Sequence, residues 1–97
     1  MERSIEFVAY HNKMLRLIKE NWTWIGRRVD LEVTVRFGIG ENGEVFGLRV
    51  VQPSGDASFD NSVVRAVRKV NLGPPPESYR SEFRDVELVF RPKDLRG

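Results

Sequence analysis

Apolar and polar positions change their spacing several times along the chain, and each change marks a new element. From Ser4 to about Trp24 the spacing is helical. Phe7, Val8, Tyr10, Met14, Leu15, Leu17, Ile18 and Trp22 fall on one half of the helix, and Glu6, Asn12, Lys13, Arg16, Lys19 and Glu20 on the other. Gly26 is the expected stop, with Arg27 and Arg28 just beyond it near the negative end of the helix dipole. From Leu31 to Ile39 the period drops to two: Leu31, Val33, Val35, Phe37 and Ile39 share one face, and Glu32, Thr34, Arg36 and Gly38 the other.

Asn42-Gly43 then predicts a two-residue type I′ hairpin. With Glu41 facing Glu44, the inward pairs are Ile39 with Phe46, Phe37 with Leu48 and Val35 with Val50. The outward pairs are Gly38 with Gly47, Arg36 with Arg49 and Thr34 with Val51. Pro53 closes the second strand and Ser54-Gly55 turns the chain. Ser58 is read as the cap of a second helix, whose apolar stripe is Phe59, Val63, Ala66, Val67 and Val70, with Arg65, Arg68 and Lys69 facing water. Gly73 and Pro74-Pro75-Pro76 end that helix, the prolines acting as a rigid connector. A last strand begins near Arg84, with Val86, Leu88 and Phe90 on one face and Asp85, Glu87, Val89 and Arg91 on the other, and Pro92 closes it.

The expected fold class is α+β, in the order helix-strand-strand-helix-strand. A three-stranded antiparallel sheet in the order 2-1-3, with both helices on one face, buries every apolar stripe at once. At 97 residues the chain is read as one domain, residues 1–97, with an ordered core over about 5–92. A domain of this size leaves little room for an enclosed active-site cavity.

Composition narrows the chemistry. Cysteine is absent, which removes disulfides, thiolate chemistry and cysteine-based metal sites. His11 is the single histidine and lies near the apolar face of the first helix, so it is read as a packed residue with no second ligand to share a metal. No nucleophile, base and orienting group can be assembled, and no glycine-rich phosphate loop is present. The chain is therefore not expected to be an enzyme, and no cofactor or metal is expected. No apolar run approaches a membrane span and no signal peptide is visible at Met1, so an anchored parent protein would contribute this chain as its soluble part.

The net charge of +2 and sequence pI of about 9.3 admit a basic nucleic-acid-binding module built on Arg27, Arg28, Arg36, Arg49, Arg65 and Arg68. However, the outward face of the sheet lacks the aromatic pair that stacks bases, so no nucleic-acid partner is expected. Arg36 opposite Arg49 is a like-charge conflict, which Glu87 or Glu32 is expected to neutralise. Gly38 facing Gly47 is read as a site of strong twist. Trp22 seals the core and Trp24, off the apolar arc, is the surface candidate.

Taken in order, these residues resemble the C-terminal domain of the TonB and TolA proteins. Tyr10, Ile18 and Trp22 resemble the first-helix pattern of TolA-like members. Phe37, Asn42-Gly43 and Val45 resemble the family's hairpin. Val50, Ser54-Gly55, Phe59-Asp60, Ala66-Val67, Pro74-Pro75 and the strand from Val86 to Phe90 resemble the remainder of its signature, so the likeness runs from about Tyr10 to Pro92. No Tyr-Pro motif precedes the first strand, and the cysteine pair of some TolA domains is missing, while the long first helix with Trp22 leans towards the TolA type.

The resemblance implies a periplasmic, protein-binding part of an inner-membrane-anchored protein, working in energy transduction and transport across the cell envelope. Its implied partners are an outer-membrane transporter or another envelope protein, and an inner-membrane proton-driven motor reached through an anchor outside this sequence. Strand addition is the expected mode of binding, because a three-stranded sheet leaves open edges. In the order 2-1-3 the third strand is one such edge, which makes Arg84, Val86, Glu87, Leu88, Val89 and Phe90 the expected partner-binding residues.

Overall fold

The computed structural model describes residues 4–96. Its elements follow the expected order: α1 (Ile5–Glu20), β1 (Val33–Ile39), β2 (Val45–Gln52), α2 (Ala57–Lys69) and β3 (Val86–Phe90), with short 3-10 turns at Glu77–Tyr79, Glu82–Arg84 and Pro92–Arg96. The sheet is antiparallel in the order β2-β1-β3. Tyr10, Met14, Ile18, Phe59, Val63, Ala66 and Val67 from the helices form one core with Val33, Val35, Phe37 and Ile39 from β1 and Val86 and Phe90 from β3. The expected α+β architecture, with both helices packed on one face of the sheet, is the observed one.

The first helix is shorter than its apolar pattern implies. Ser4 caps it, accepting from the Phe7 N–H at 3.2 Å. It ends at Glu20, where the Asn21 side-chain amide donates to the Leu17 carbonyl, rather than continuing to Trp24 and Gly26. Unwinding there lets both tryptophans reach Phe59 edge-on, at centroid distances of 5.9 Å for Trp22 and 5.3 Å for Trp24. Trp22 also packs edge-on against Phe90, and its indole N–H donates to Ser62 Oγ at 2.9 Å. Three elements are joined at this one side chain.

The hairpin differs from the expected two-residue turn. Gly43 N–H donates to the Gly40 carbonyl at 3.0 Å and Gly40 N–H to the Glu44 carbonyl at 2.8 Å, which encloses Glu41, Asn42 and a left-handed Gly43 with φ of 88°. A type I′ turn would need Asn42 left-handed as well, and no non-glycine among the described residues has positive φ. The loop is thus one residue longer. Ile39 pairs with Val45 and Gly38 with Phe46, instead of Phe46 and Gly47. A bulge at Gly47, with φ of 63°, absorbs the extra residue, and Val35 with Val50 and Arg36 with Arg49 pair as expected. A second shift sets Thr34 opposite Gln52 instead of Val51.

Phe46 therefore leaves the core face, and its ring lies over Gly38. A Cβ on Gly38 would sit 2.3 Å from the Phe46 ring and 2.5 Å from the Arg84 carbonyl oxygen, so the glycine is there for close approach and not for twist alone.

The turn into α2 is built by the Ser-Gly and Phe-Asp pairs. Asp56, not Ser58, is the cap: its carboxylate accepts from Phe59 N–H at 3.0 Å, while Ser58 lies inside the first turn. The Asp60 carboxylate turns back to accept from Ser54 N–H at 3.2 Å, tying the end of β2 to the helix. Beyond α2, the chain passes against the hairpin. Leu72 N–H donates to the Gly43 carbonyl at 3.2 Å, and the Tyr10 hydroxyl donates to the Gly73 carbonyl at 2.8 Å. Phe83, carried on the 3-10 turn Glu82–Arg84, fills the core below Phe7 and Tyr10.

Two predictions follow from this clamp. A Cβ on Gly43 would lie 2.3 Å from the Gly73 backbone nitrogen, whereas Gly55, with φ of 96°, has nothing within 4 Å. Urea unfolding should show G43A losing about 3 kcal/mol or more, from strain plus overlap, and G55A only about 1–2 kcal/mol from strain. Equal losses would mean that the hairpin and the α2 exit are not in tight contact. Burial pushes the Tyr10 phenol up to about 12. A phenol ionising later in the folded than in the unfolded chain contributes stability that is complete below about pH 10 and is lost as pH rises towards 12. The wild-type chain should therefore lose more stability than Y10F over that window, as read by denaturant titrations at each pH; parallel curves would refute it.

Candidate functional site: the two edges of the sheet

The sheet has two outer strands, and they are built differently. β2 is broken by the two register shifts at Gly47 and before Gln52. Arg49 folds back, donating from Nη1 to the Gly47 carbonyl at 2.8 Å and so occupying an acceptor on that strand. Between β2 and the end of α2 lies an open groove of about 420 Å³, lined by residues including Val45, Leu48, Arg68 and Asn71. Bulges and side-chain plugs of this kind blunt an edge against pairing.

β3 runs without a break. Val33 pairs with Phe90, Thr34 with Val89, Val35 with Leu88, Arg36 with Glu87 and Phe37 with Val86 in one continuous register. No backbone hydrogen bond joins Val86–Phe90 to any described segment other than β1. Val86 and Phe90 are buried, Leu88 is half-buried, and Glu87 and Val89 are exposed, Val89 at 41 %. Of the six residues expected from sequence, five make up this strand. The sixth, Arg84, lies in the 3-10 turn before it, where its carbonyl approaches Gly38.

The outward face of β3 is charged and internally paired. Arg36 forms a two-pronged bond with Asp85, Nε to Oδ1 at 3.1 Å and Nη2 to Oδ2 at 2.9 Å. Glu87 stands 3.8 Å from Arg36 Nε. Glu32 pairs instead with Arg91, at 2.6 Å. The Arg36–Arg49 conflict is thus resolved chiefly by Asp85, a residue the pairing pattern alone did not single out, because the two-pronged contact is diagonal. Arg91 N–H donates to Asp94 at 2.9 Å as the chain turns away from the edge.

The other candidates are placed as follows. His11 is half-buried and stacks beside Phe7 at 6.1 Å. Among the described residues no group of three or more His, Cys, Asp or Glu side chains could hold a metal ion. Trp24, expected at the surface, is half-buried on Phe59, and its indole N–H is buried without a partner. Ile25 on the same loop is 92 % exposed. Arg28 and Asp30 pair at 3.1 Å; the hydrogen bond holds the Asp30 carboxyl below its ordinary range and raises the Arg28 guanidinium. No helix among the described residues is long and apolar enough to cross a membrane.

The TonB C-terminal family model matches residues 7–90, and the chain belongs to that family. The chain resembles proteins of the TolA type. It is 30 % identical over 88 residues to the Tol-Pal system protein TolA of Pseudomonas aeruginosa, covering 84 % of this chain and 25 % of that protein. The chain thus spans about a quarter of the length of that relative. It also matches the solution structure of TolAIII bound to a peptide derived from the N-terminus of TolB, with a TM-score of 0.73 and 27 % identity over 98 % of this chain and 82 % of the other.

An edge with one side paired to β1 and one side open has a measurable signature. Hydrogen exchange should show alternate amides of Val86–Phe90 exchanging rapidly while the interleaved ones, directed at β1, remain protected. Uniform protection along the strand would mean that the edge is covered.

Proposed function

We propose that this chain is the periplasmic partner-binding domain of a TolA-type protein anchored in the inner membrane, and that it grips an extended segment of an envelope protein by adding it as a fourth strand beside β3. The anchor, outside this sequence, couples the grip to a proton-driven motor. The observation that carries this reading is the contrast between the edges: β3 is straight and unbonded on its outer side, whereas β2 is bulged and plugged by Arg49. The match to a TolA domain solved with a peptide of TolB supports an envelope protein as partner, with an outer-membrane transporter as the TonB-type counterpart.

The mechanism needs no catalytic group. Peptide N–H and C=O groups of the incoming segment meet those of β3, so adhesion depends on backbone geometry, and the side chains of Glu87, Leu88 and Val89 act on selectivity. The domain is accordingly read as an interaction module, in keeping with a family of interaction domains. The nucleic-acid alternative has little support, since Arg36 and Arg49 are engaged on the outward face and Arg28 is paired.

Titration of the isotope-labelled domain with a peptide from the N-terminus of a TolB protein tests the reading. Shift changes should centre on Val86–Phe90 and their β1 partners. Changes confined to Val45–Gln52 or to the helices would contradict it.

A further inference from the structure

We propose that Glu87 makes the β3 edge selective for a strand that brings a lysine or arginine opposite it and, two positions away on the same face, a β-branched apolar residue opposite Val89. This rests on the reading of β3 as the accepting edge and adds the chemistry of what is accepted.

The argument starts from how charge is shared around Arg36. Both prongs of its guanidinium are committed to Asp85, at 2.9 and 3.1 Å. Glu87, directly opposite Arg36 in the register, is left with a looser contact of 3.8 Å and keeps a side chain 55 % exposed. One guanidinium thus faces two carboxylates, and the one on the strand proper is incompletely neutralised. No other cation is paired with it among the described residues.

An incoming strand places its residues opposite those of β3 at the same two-residue period. The position facing Glu87 lies on the outward side. A carboxylate there would meet a like charge directly across the strands and a cation an opposite one, each shifting the pairing in a known direction. The position facing Val89, two residues on, meets an exposed valine flanked by Thr34 and is best met by another β-branched side chain. The residue between them points to the helix side beside half-buried Leu88 and is apolar. The same carboxylate that discourages indiscriminate pairing of an open edge thereby admits a cation, and Leu88 and Val89 add the rest of the pattern: a cation and a β-branched apolar residue on either side of an apolar one, read in the order the strand direction sets.

The test uses two capped ten-residue peptides of alternating valine and threonine, with valine also placed two residues to either side of one central threonine position, which is lysine in one peptide and glutamate in the other. Affinities are read from amide shifts of the labelled domain. The lysine peptide is expected to bind about fivefold more tightly at low salt, with the ratio approaching one in high salt. Glu87→Gln should abolish the preference and Glu87→Lys should reverse it, the glutamine variant serving where the lysine variant is unstable. Equal binding of both peptides at Val86–Phe90 would overturn the selectivity while leaving the edge reading intact. Shifts away from β3, or none, would overturn both.

Discussion

The central strand β1 decides what the rest of the molecule can do. Val33, Val35, Phe37 and Ile39 are buried from one side, and both hydrogen-bonding sides of the strand are used. β1 therefore cannot slip relative to the core without exposing four apolar side chains. Its two neighbours must fit to it, and they do so differently. β3 matches it residue for residue, whereas β2 is joined through a loop one residue too long for regular pairing and corrects itself at Gly47. The extra hairpin residue accounts for the break at Gly47, and the second shift, at Gln52, interrupts the same edge again, whereas β3 has neither.

The hairpin is held by contacts distant in sequence. Gly43 accommodates the backbone of Gly73 at a distance no side chain would allow, and Tyr10 on α1 bonds the Gly73 carbonyl. The first helix, the hairpin and the chain leaving α2 thus meet at one point, in the N-terminal half of α1. Past the other end of α1, Trp22 fastens α2 through Ser62 and Phe59, and β3 through Phe90. Trp22 thereby anchors the end of β3 at Phe90 from the helix side, away from the open edge of the strand.

Much of this was legible in the residues. The two-residue alternation of Val33 to Ile39 and of Val86 to Phe90, and the stripe of Phe59, Val63, Ala66 and Val67, each have one physical solution, and together they define the sheet order. The hairpin register was not legible, because a slip along the whole strand would set Phe37 against Gly47 and Val35 against Arg49, and only a bulge at Gly47 lets the longer loop coexist with the expected pairing of Val35 and Val50. The opposition of Gly38 and Gly47 looked natural, yet each glycine serves a separate purpose, one making room for Phe46 and one forming a bulge. Ser58 and Asp56 are both good caps, and only the geometry of Phe59 N–H separates them. Trp24 continued the helical reading although its ring had a better place on Phe59. Phe83 lay in a polar stretch without periodicity. Of the candidate site, the strand and its edge position could be read from sequence, but Arg84 was placed one element too late, and the pairing of Arg36 with Asp85 is diagonal and invisible to a direct cross-strand pattern.

The absence of cysteine makes a direct test available. Val89 on β3 and Val51 on β2 are similarly exposed, at 41 % and 42 %. A single cysteine at either position can be oxidised against a set of TolB N-terminal peptides, each with one cysteine at a successive site. The account predicts that Val89→Cys cross-links strongly at one peptide position, the one opposite it in the pairing, and weakly at the two positions beside that one, which face the other side of the sheet, while Val51→Cys singles out no position. A single strong position for Val51→Cys with none for Val89→Cys would contradict it.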